Sequence, residues 1–507
     1  MTLSQRWAVG IFGATLLFVI TLFVWPLPVL LAFLSDDAFY YLQIGHSISI
    51  GAGSTFDGIV LTNGYHPLWM LVVVFLMTVT GNETLFSAAA VMAASVVICG
   101  GCVYLAVNIV EKFVARGLAA ISAATMLSPF AFSAMTNGME TSLAMFAVLA
   151  VMWHCFKARA LSADAGIASS FVFGALLAIV FLSRLDMAFL PLTAGLLIVA
   201  ESIRVRAPFR ALTIRTLAML APFLLITAPF FVWNYLEFGS IAPISGSVKS
   251  SFPVVRESLH LEGDSQIGLA MLVLLSLCTF LSFRRRSNED SALTSPLVLV
   301  TFACWLHFAY AFLFMDWGVY WWHFTLSAVS LSIAIPAALY SLKLTSRLIT
   351  HFGALALAAF CIVLQLQVTM NRYDRHLVWL EAAQWAKENT AETAIFAIKD
   401  AGLFRYFSDR QVVNLDGKAN GLSYWRSVRN GSVDSYLGDV GVRYIGEINA
   451  GCFDQKCFIR IHVPRQPDVF LEMKDQGLIY SGRPYPKRFG SSAPMDTRFR
   501  IWSYPSG

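Results

Sequence analysis

The chain has 507 residues, a mean hydropathy of +0.66 and a formal net charge of +5; 57% of its residues are hydrophobic and 13% are charged. Soluble globular proteins carry roughly 25% charged residues, so this composition excludes an ordinary soluble protein. The small net charge and the lack of a long basic run exclude a nucleic acid as the partner.

The charged residues are distributed unevenly. Residues 1–370 hold 17 Lys and Arg and 16 Asp and Glu, whereas the much shorter segment 371–507 holds 19 and 15. We therefore predict a mainly α, polytopic helical bundle over 1–370 and a soluble domain over 371–507. The apolar run from Ala8 to Leu34 is long enough to span a bilayer and lacks a clear cleavage site, which indicates an uncleaved first span.

Apolar stretches of about 20 residues recur along the first part of the chain, and each can cross a bilayer. We predict eleven spans. They are 9–33, 84–108, 117–134, 139–156, 165–183, 187–203, 216–235, 265–282, 293–314, 321–341 and 348–369. A further apolar stretch, from His66 to Thr80, is short for a span.

The loop charges decide whether this short stretch crosses. If it does not, fourteen Lys and Arg residues, including Arg284 to Arg286, lie on the side of the N-terminus, and three lie on the other side, namely Arg184, Lys249 and Arg256. Cytoplasmic loops are rich in Lys and Arg. We therefore predict a cytoplasmic N-terminus, an interfacial helix within a first outer loop at 35–83, and an extracytoplasmic C-terminal domain.

The last part of the chain alternates helical and strand patterns. An amphipathic helix is predicted over 377–388 and strands over 394–398, 411–415 and 442–445, which indicates a small α/β domain. Cys452 and Cys457 could form a disulfide if this domain lies in an oxidising compartment. Cys99 and Cys102 have redox-motif spacing but lie within an apolar run, so we interpret them as small buried residues.

An acidic pair, Asp36 and Asp37, follows the first predicted span directly. Carboxylates at a membrane edge are costly unless they are solvated or used. One interpretation is structural, with Asp36 capping the helix that begins there. The other is chemical, with a carboxylate acting as a general base.

Five further polar motifs fall on the same predicted outer side, and each has a structural alternative. Tyr65 and His66 could belong to an interfacial helix, Glu140 could stabilise a helix N-terminus, and Arg184 and Asp186 could form an ion pair in a turn. Lys249 could lie in a solvated loop. The aromatic segment from Met315 to His323 could form an interfacial belt. As substrate-binding candidates, all would face one compartment. These candidates are Tyr65, His66, Glu140, Arg184, Asp186, Lys249, Asp316, Trp317 and His323.

At these residues the chain resembles the polytopic glycosyltransferases of the GT-C superfold, and more closely the bacterial protein-mannosyltransferase-like and terminal arabinofuranosyltransferase-like proteins. The resemblance rests on Asp36-Asp37, Gly64 to Trp69, Gly138 to Thr141, Arg184 to Asp186, and Phe238 to Pro243 with Lys249. Two positions depart from the family pattern. Leu185 stands where a proline is usual, and His323 stands where an Arg or Tyr is frequent.

The resemblance implies transfer of a sugar from a polyprenyl-phosphate donor to a glycan, lipid or protein acceptor at the outer side of the bacterial cytoplasmic membrane. It implies Asp36 or Asp37 as the catalytic base, with Asp36 preferred. Lys249 and Arg184 would stabilise the phosphate. A single displacement would invert the anomeric centre, whereas retention would need a second carboxylate such as Asp186 or Glu140.

No cofactor and no metal site are expected, although Asp36, Asp37 and Glu140 leave a divalent cation as an alternative. Two other functions remain open from the residues. A lipid or sugar transporter would place charges near the bilayer midplane. An envelope-polysaccharide polymerase or ligase would use outer Arg and His residues instead of an acidic pair.

Overall fold

A computed structural model of the chain describes residues 3–114, 117–256, 259–261, 263–283, 292–317, 319–448, 450–453, 456–463, 466–484 and 498–504. The predicted topology signal at Arg284 to Arg286 lies outside these residues. Among the described residues, nine helices are long and apolar enough to cross a membrane. The chain is therefore a multi-pass membrane protein.

The helices of the first part follow in chain order. They are α1 (Leu3–Leu22), α2 (Leu27–Phe33), α3 (Asp36–Ser49), α4 (Pro67–Val79), α5 (Thr84–Ile109), α6 (Ala119–Met126), α7 (Pro129–Met135), α8 (Thr141–Ala158), α9 (Ile167–Ser183), α10 (Phe189–Arg204), α11 (Phe209–Phe238), α12 (Ile244–Lys249), α13 (Asp264–Ser282), α14 (Pro296–Phe314) and α15 (Thr325–Ser341). Short 3₁₀ turns precede α10 and α15, at Leu185–Ala188 and Trp321–Phe324.

Nine of the eleven predicted spans contain these long helices, the predicted span at 165–183 contains the shorter α9 of 17 residues, and two predicted spans are divided. Residues 117–134 were expected to form one span, but they form α6 and α7, because Ser128 accepts a hydrogen bond at the start of α7 and Pro129 occupies its first turn. The first apolar run is likewise divided at Pro26 into α1 and α2. Helix α4 has 13 residues. At about 1.5 Å per residue it is too short to cross the roughly 30 Å hydrocarbon core.

The C-terminal part combines helices and strands. They are α16 (Arg347–Asn389), β1 (Ile395–Ile398), α17 (Gly402–Ser408), β2 (Gln411–Asn414), α18 (Leu422–Arg429), α19 (Val433–Val440), β3 (Tyr444–Glu447), β4 (Gly451–Phe453), β5 (Lys456–Ile461), β6 (Val469–Lys474), β7 (Leu478–Pro484) and β8 (Arg498–Ser503). Helix α16 is continuous for 43 residues and passes through position 370.

Two sheets form in this part. The larger has the order β2-β1-β3-β8-β7, with β1 parallel to both β2 and β3 and with β8 antiparallel to β3. The smaller is antiparallel in the order β4-β5-β6, and a Cys452–Cys457 disulfide joins β4 to β5. Cys99 and Cys102 are free and buried in α5, as predicted.

One hydrophobic core joins the loop at 35–83 to the C-terminal part. Phe39 and Trp69 from the loop lie in the same buried cluster as Val378, Phe396 and Phe404. Because apolar burial stabilises by about 25 cal/mol per Å², these large side chains hold the two parts of the chain together. The loop that carries the acidic pair is therefore packed directly on the C-terminal sheet.

Candidate functional site

The acidic pair lies in the first turn of α3, but its two carboxylates have different surroundings. Asp36 accepts hydrogen bonds from the backbone N–H groups of Leu403, at 2.8 Å, and Gly402, at 3.3 Å. It therefore caps α17 of the C-terminal part, and the expectation that it caps its own helix is wrong. Partial burial, together with the charge of Asp400, raises the pKa of Asp36 well above its usual range.

Asp37 is placed differently. Its carboxylate receives no hydrogen bond and forms no ion pair within the described part of the chain. It lines a central cavity of 330 Å³ and a connecting pocket of 70 Å³. Lys249 and Lys418 line both of these spaces with it. Asp37 is thus a carboxylate that is open to a ligand and near two cations.

A third space, here called the helix-side cavity, adjoins the connecting pocket and has a volume of 350 Å³. Lys249 and His323 line it as well as the central cavity, so these two side chains stand at the junction. Apolar and aromatic residues form much of its remaining wall. They include Leu185, Ala188, Phe189, Pro243, Tyr310 and Met315.

Lys249 ends the short helix α12, and its amino group has no described hydrogen-bond partner. Its backbone carbonyl accepts from the N–H groups of Asp316, at 3.1 Å, and Trp317, at 3.4 Å, which fixes the helix end against the loop between α14 and α15. Burial lowers the pKa of Lys249, and the Asp37 charge opposes this shift in part. A phosphate in either cavity would favour the charged lysine.

Four of the predicted residues, namely Glu140, Arg184, Asp186 and His66, form one largely buried network beside these cavities. Arg184 binds Asp186 through Nε, at 2.8 Å, and through Nη2, at 3.0 Å, and its Nη1 lies 3.3 Å from Glu140. The predicted ion pair in the turn is therefore present. Glu140 also accepts from the Tyr41 hydroxyl at 2.9 Å, so its side chain does not cap its own helix.

His66 is held within the same network. Its Nδ1 accepts a 3.0 Å hydrogen bond from the backbone N–H of Leu185, and its Nε2 lies 3.6 Å from Glu140 Oε1. Burial lowers the pKa of His66, which favours the neutral ring. With Nδ1 as acceptor, the neutral ring carries its proton on Nε2, the nitrogen nearest Glu140 Oε1.

The other predicted residues lie around this centre. The Tyr65 hydroxyl is 2.8 Å from Ser54 Oγ, and the residue lines the connecting pocket. His323 is buried, and its Nδ1 is held 3.0 Å from the Tyr320 backbone N–H. Trp317 lines the central cavity, whereas Asp316 lines a separate space described below.

Sequence reasoning missed the contribution of the C-terminal part. Lys418 follows β2, forms ion pairs with Asp416, at 3.4 Å, and Asp400, at 3.7 Å, and lies over the Trp317 ring. Burial opposes the charge of Lys418, but Asp416 and Asp37 more than offset this and raise its pKa well above the usual lysine value. The strand over 411–415 was predicted, yet nothing local in the sequence indicated that Lys418, which follows it, lies beside the acidic pair.

The described residues contain no group of three or more His, Cys, Asp or Glu side chains arranged to hold a metal ion. Glu140, which we considered with the acidic pair as a metal ligand, is bound to Tyr41 and Arg184 instead.

Comparisons with known proteins give one family and several structures. A family model described as a domain of unknown function (DUF8728) matches residues 365–485. No curated protein matches the sequence.

Three solved structures are similar to the chain. ArnT from Cupriavidus metallidurans bound to undecaprenyl phosphate has a TM-score of 0.54 and 14% identity, with 91% of this chain and 98% of ArnT covered. The apo state of that ArnT has a TM-score of 0.55 and 16% identity, with 86% and 93% covered. The Archaeoglobus fulgidus oligosaccharyltransferase tethered with an acceptor peptide has a TM-score of 0.49 and 12% identity, with 87% and 69% covered.

Proposed function

We propose that this chain, which has the GT-C fold of polytopic membrane glycosyltransferases, transfers a sugar from a polyprenyl-phosphate donor to an acceptor hydroxyl. The observation that carries the proposal is the position of Asp37. Its carboxylate is free of described partners, faces two connected spaces and shares both with Lys249 and Lys418. A base beside cations is what displacement of a lipid phosphate requires.

Asp37 is the proposed general base. It accepts the proton of the acceptor hydroxyl while the acceptor oxygen attacks the anomeric carbon and the bond from that carbon to the phosphate oxygen breaks. The products are the glycosylated acceptor and the polyprenyl phosphate. A single displacement of this kind inverts the anomeric centre. Asp36, which the family resemblance favoured, is less suited to this role because two backbone N–H groups occupy its carboxylate.

The leaving phosphate gains negative charge as the bond breaks, and cations stabilise that charge. Lys249 is the best-placed cation because it lines the central, connecting and helix-side spaces alike. His323 stands beside it at the same junction. Arg184 is less available, since its guanidinium is already bound to Asp186 and Glu140.

The helix-side cavity suits the lipid-linked donor. Its wall is largely apolar and aromatic, while His66, Lys249 and His323 supply polar groups where it meets the connecting pocket. A polyprenyl chain partitions into the bilayer and leaves its phosphate at the interface. The ArnT structure with undecaprenyl phosphate supports a donor of this class for a chain of the same fold.

We place the site on the outer side of a bacterial cytoplasmic membrane. The bias of fourteen inside against three outside cations supports this orientation. The Cys452–Cys457 disulfide supports it independently, because disulfides persist in oxidising compartments such as the periplasm.

The decisive experiment uses the full chain in proteoliposomes with radiolabelled polyprenyl-phosphate sugars and an extract of cell-envelope acceptors. We expect the wild type to transfer label and Asp37→Asn to lose about 10²–10⁴-fold in rate, as removal of a general base does. Asp439→Asn, an exposed carboxylate on α19, is the matched control and should behave as the wild type. Full transfer by Asp37→Asn would refute the proposed base.

A further inference from the structure

A fourth space, here called the C-terminal cavity, lies between the outer loop before α15 and the C-terminal part. It has a volume of 430 Å³, within the range of roughly 300–1,000 Å³ that ligand pockets occupy. Trp317, Tyr320, Asp400 and Lys418 line both this space and the central cavity. The two spaces therefore adjoin, and a ligand in one can reach into the other.

The C-terminal sheet places most of this lining. Lys399 and Asp400 follow β1, and Asp416 and Lys418 follow β2. The two strands are parallel, so their carboxyl ends meet at one edge of the sheet, where α/β folds commonly bind ligands.

The chemistry of the wall differs from that of the helix-side cavity. Every lining residue is charged, polar or aromatic. Three carboxylates (Asp316, Asp400, Asp416) are balanced by three cations (Lys399, Lys418, Arg460), so the formal charges cancel. A phosphate or another strongly charged group gains little from such a balanced wall. A neutral ligand with many hydroxyls gains more, because hydrogen bonds between hydroxyls and charged side chains are strong.

Aromatic rings complete the cavity. Trp317 and Tyr320 stand where the C-terminal and central cavities meet. The Trp317 ring is fixed by the Lys418 ammonium, 5.3 Å from its centroid, and by the His462 ring at 5.6 Å. A fixed aromatic ring offers a flat apolar surface beside polar groups, which suits the apolar face of a sugar ring.

From this arrangement we infer that the C-terminal cavity binds the acceptor, and that the acceptor is a saccharide chain whose terminal hydroxyl reaches Asp37 through the central cavity. This inference rests on the proposed function and adds the chemical class of the acceptor. Donor and acceptor then approach from opposite sides, the lipid through the helix-side cavity and the glycan through the C-terminal cavity.

The test is a binding measurement without any sugar donor. Full chain in detergent is applied to an array that carries neutral bacterial-type oligosaccharides and unglycosylated peptides, with and without undecaprenyl phosphate. We expect saccharide binding by the wild type, and at least a tenfold loss in Trp317→Ala and in Arg460→Ala. Arg460 is largely exposed on β5 and pairs with Asp468; His462 also contacts that carboxylate, at 2.9 Å, so we expect Arg460→Ala to fold.

Matched controls are Trp305→Ala, on α14 away from the cavities described here, and Arg429→Ala, at the exposed end of α18. Both should bind as the wild type does. Asp37→Asn should keep saccharide binding while losing transfer, so that failure of the acceptor site and failure of the proposed reaction give different results. Binding to peptides alone, unchanged binding in both cavity variants, or no saccharide binding up to about 10 mM would overturn the inference.

Discussion

The Asp36 carboxylate accepts a 2.8 Å hydrogen bond from the backbone N–H of Leu403, a residue 367 positions further along the chain. The acidic pair is therefore divided between two tasks. Asp36 binds the C-terminal part to the loop at 35–83, and Asp37 remains available to a ligand. Tyr40 strengthens the same contact, since its hydroxyl accepts from the Ala401 N–H and from Asn414 Nδ2, both at 2.8 Å.

Substitutions of Asp36 should weaken the contact between the C-terminal part and the loop at 35–83 more than they slow sugar transfer. Asp36→Ala removes the acceptor of two N–H groups, and loss of such a cap costs about 0.5–2 kcal/mol. Asp36→Asn keeps one oxygen acceptor and should retain most of the stability. Thermal unfolding and limited proteolysis of the C-terminal part would measure the stability of both variants. Equal protease resistance of Asp36→Ala and the wild type would contradict the docking role.

Gly64 provides a second check on the same interface. A Cβ at this position would overlap the backbone carbonyl oxygen of Lys418, so Gly64→Ala must push the turn that carries Lys418 away from the site. We expect a loss of transfer of at least tenfold together with faster proteolysis of the C-terminal part. Gly438→Ala is the control, because a Cβ there meets nothing within 4 Å. If both variants retain full transfer, the close approach of Gly64 to the Lys418 carbonyl is not needed for the reaction.

Local patterns predicted the elements well and their long-range contacts poorly. The spacing of apolar residues, the prolines and the loop charges were enough to predict the positions of α4, α8, β1 and β2 in the sequence, because those signals lie within or beside each element. The Arg184–Asp186 pair could be predicted because its members are two residues apart. The contacts of Asp36 with Leu403 and of Gly64 with Lys418 join distant segments, and no periodicity encodes them.

The paired cysteines give a direct test of orientation. Cys452 and Cys457 form the disulfide, whereas the other six cysteines are buried. In intact spheroplasts, a membrane-impermeant maleimide should label the protein only after treatment with a membrane-impermeant reductant. Cys452→Ser/Cys457→Ser should abolish that labelling. Labelling that requires opened membranes would place the C-terminal part in the cytoplasm.

We expect the charge network around Arg184 to stabilise the fold, and a double substitution tests this. Glu140 and Arg184 are 1% and 3% exposed, so Arg184→Ala leaves a buried carboxylate without its cation, at a cost of about 3–5 kcal/mol. Adding Glu140→Gln removes that uncompensated charge and should restore part of the thermal stability. Asp186 still lacks its arginine, so the recovery should be incomplete. Strictly additive losses in the double variant would show that the two side chains are not coupled.

The pH dependence of donor use should report on Lys249. Burial lowers the pKa of this lysine, so as pH rises its ammonium loses the proton before an ordinary lysine would at about 10.4. The cation that stabilises the lipid phosphate is therefore present at low pH and lost on the alkaline side. We expect kcat/KM for the donor, which reports groups of the free enzyme, to fall there. Lys249→Arg stays charged over this range and should move the alkaline fall to higher pH, even if its geometry lowers the maximum rate. An alkaline limb at the same pH in both proteins would assign the fall to another group and remove Lys249 from phosphate stabilisation.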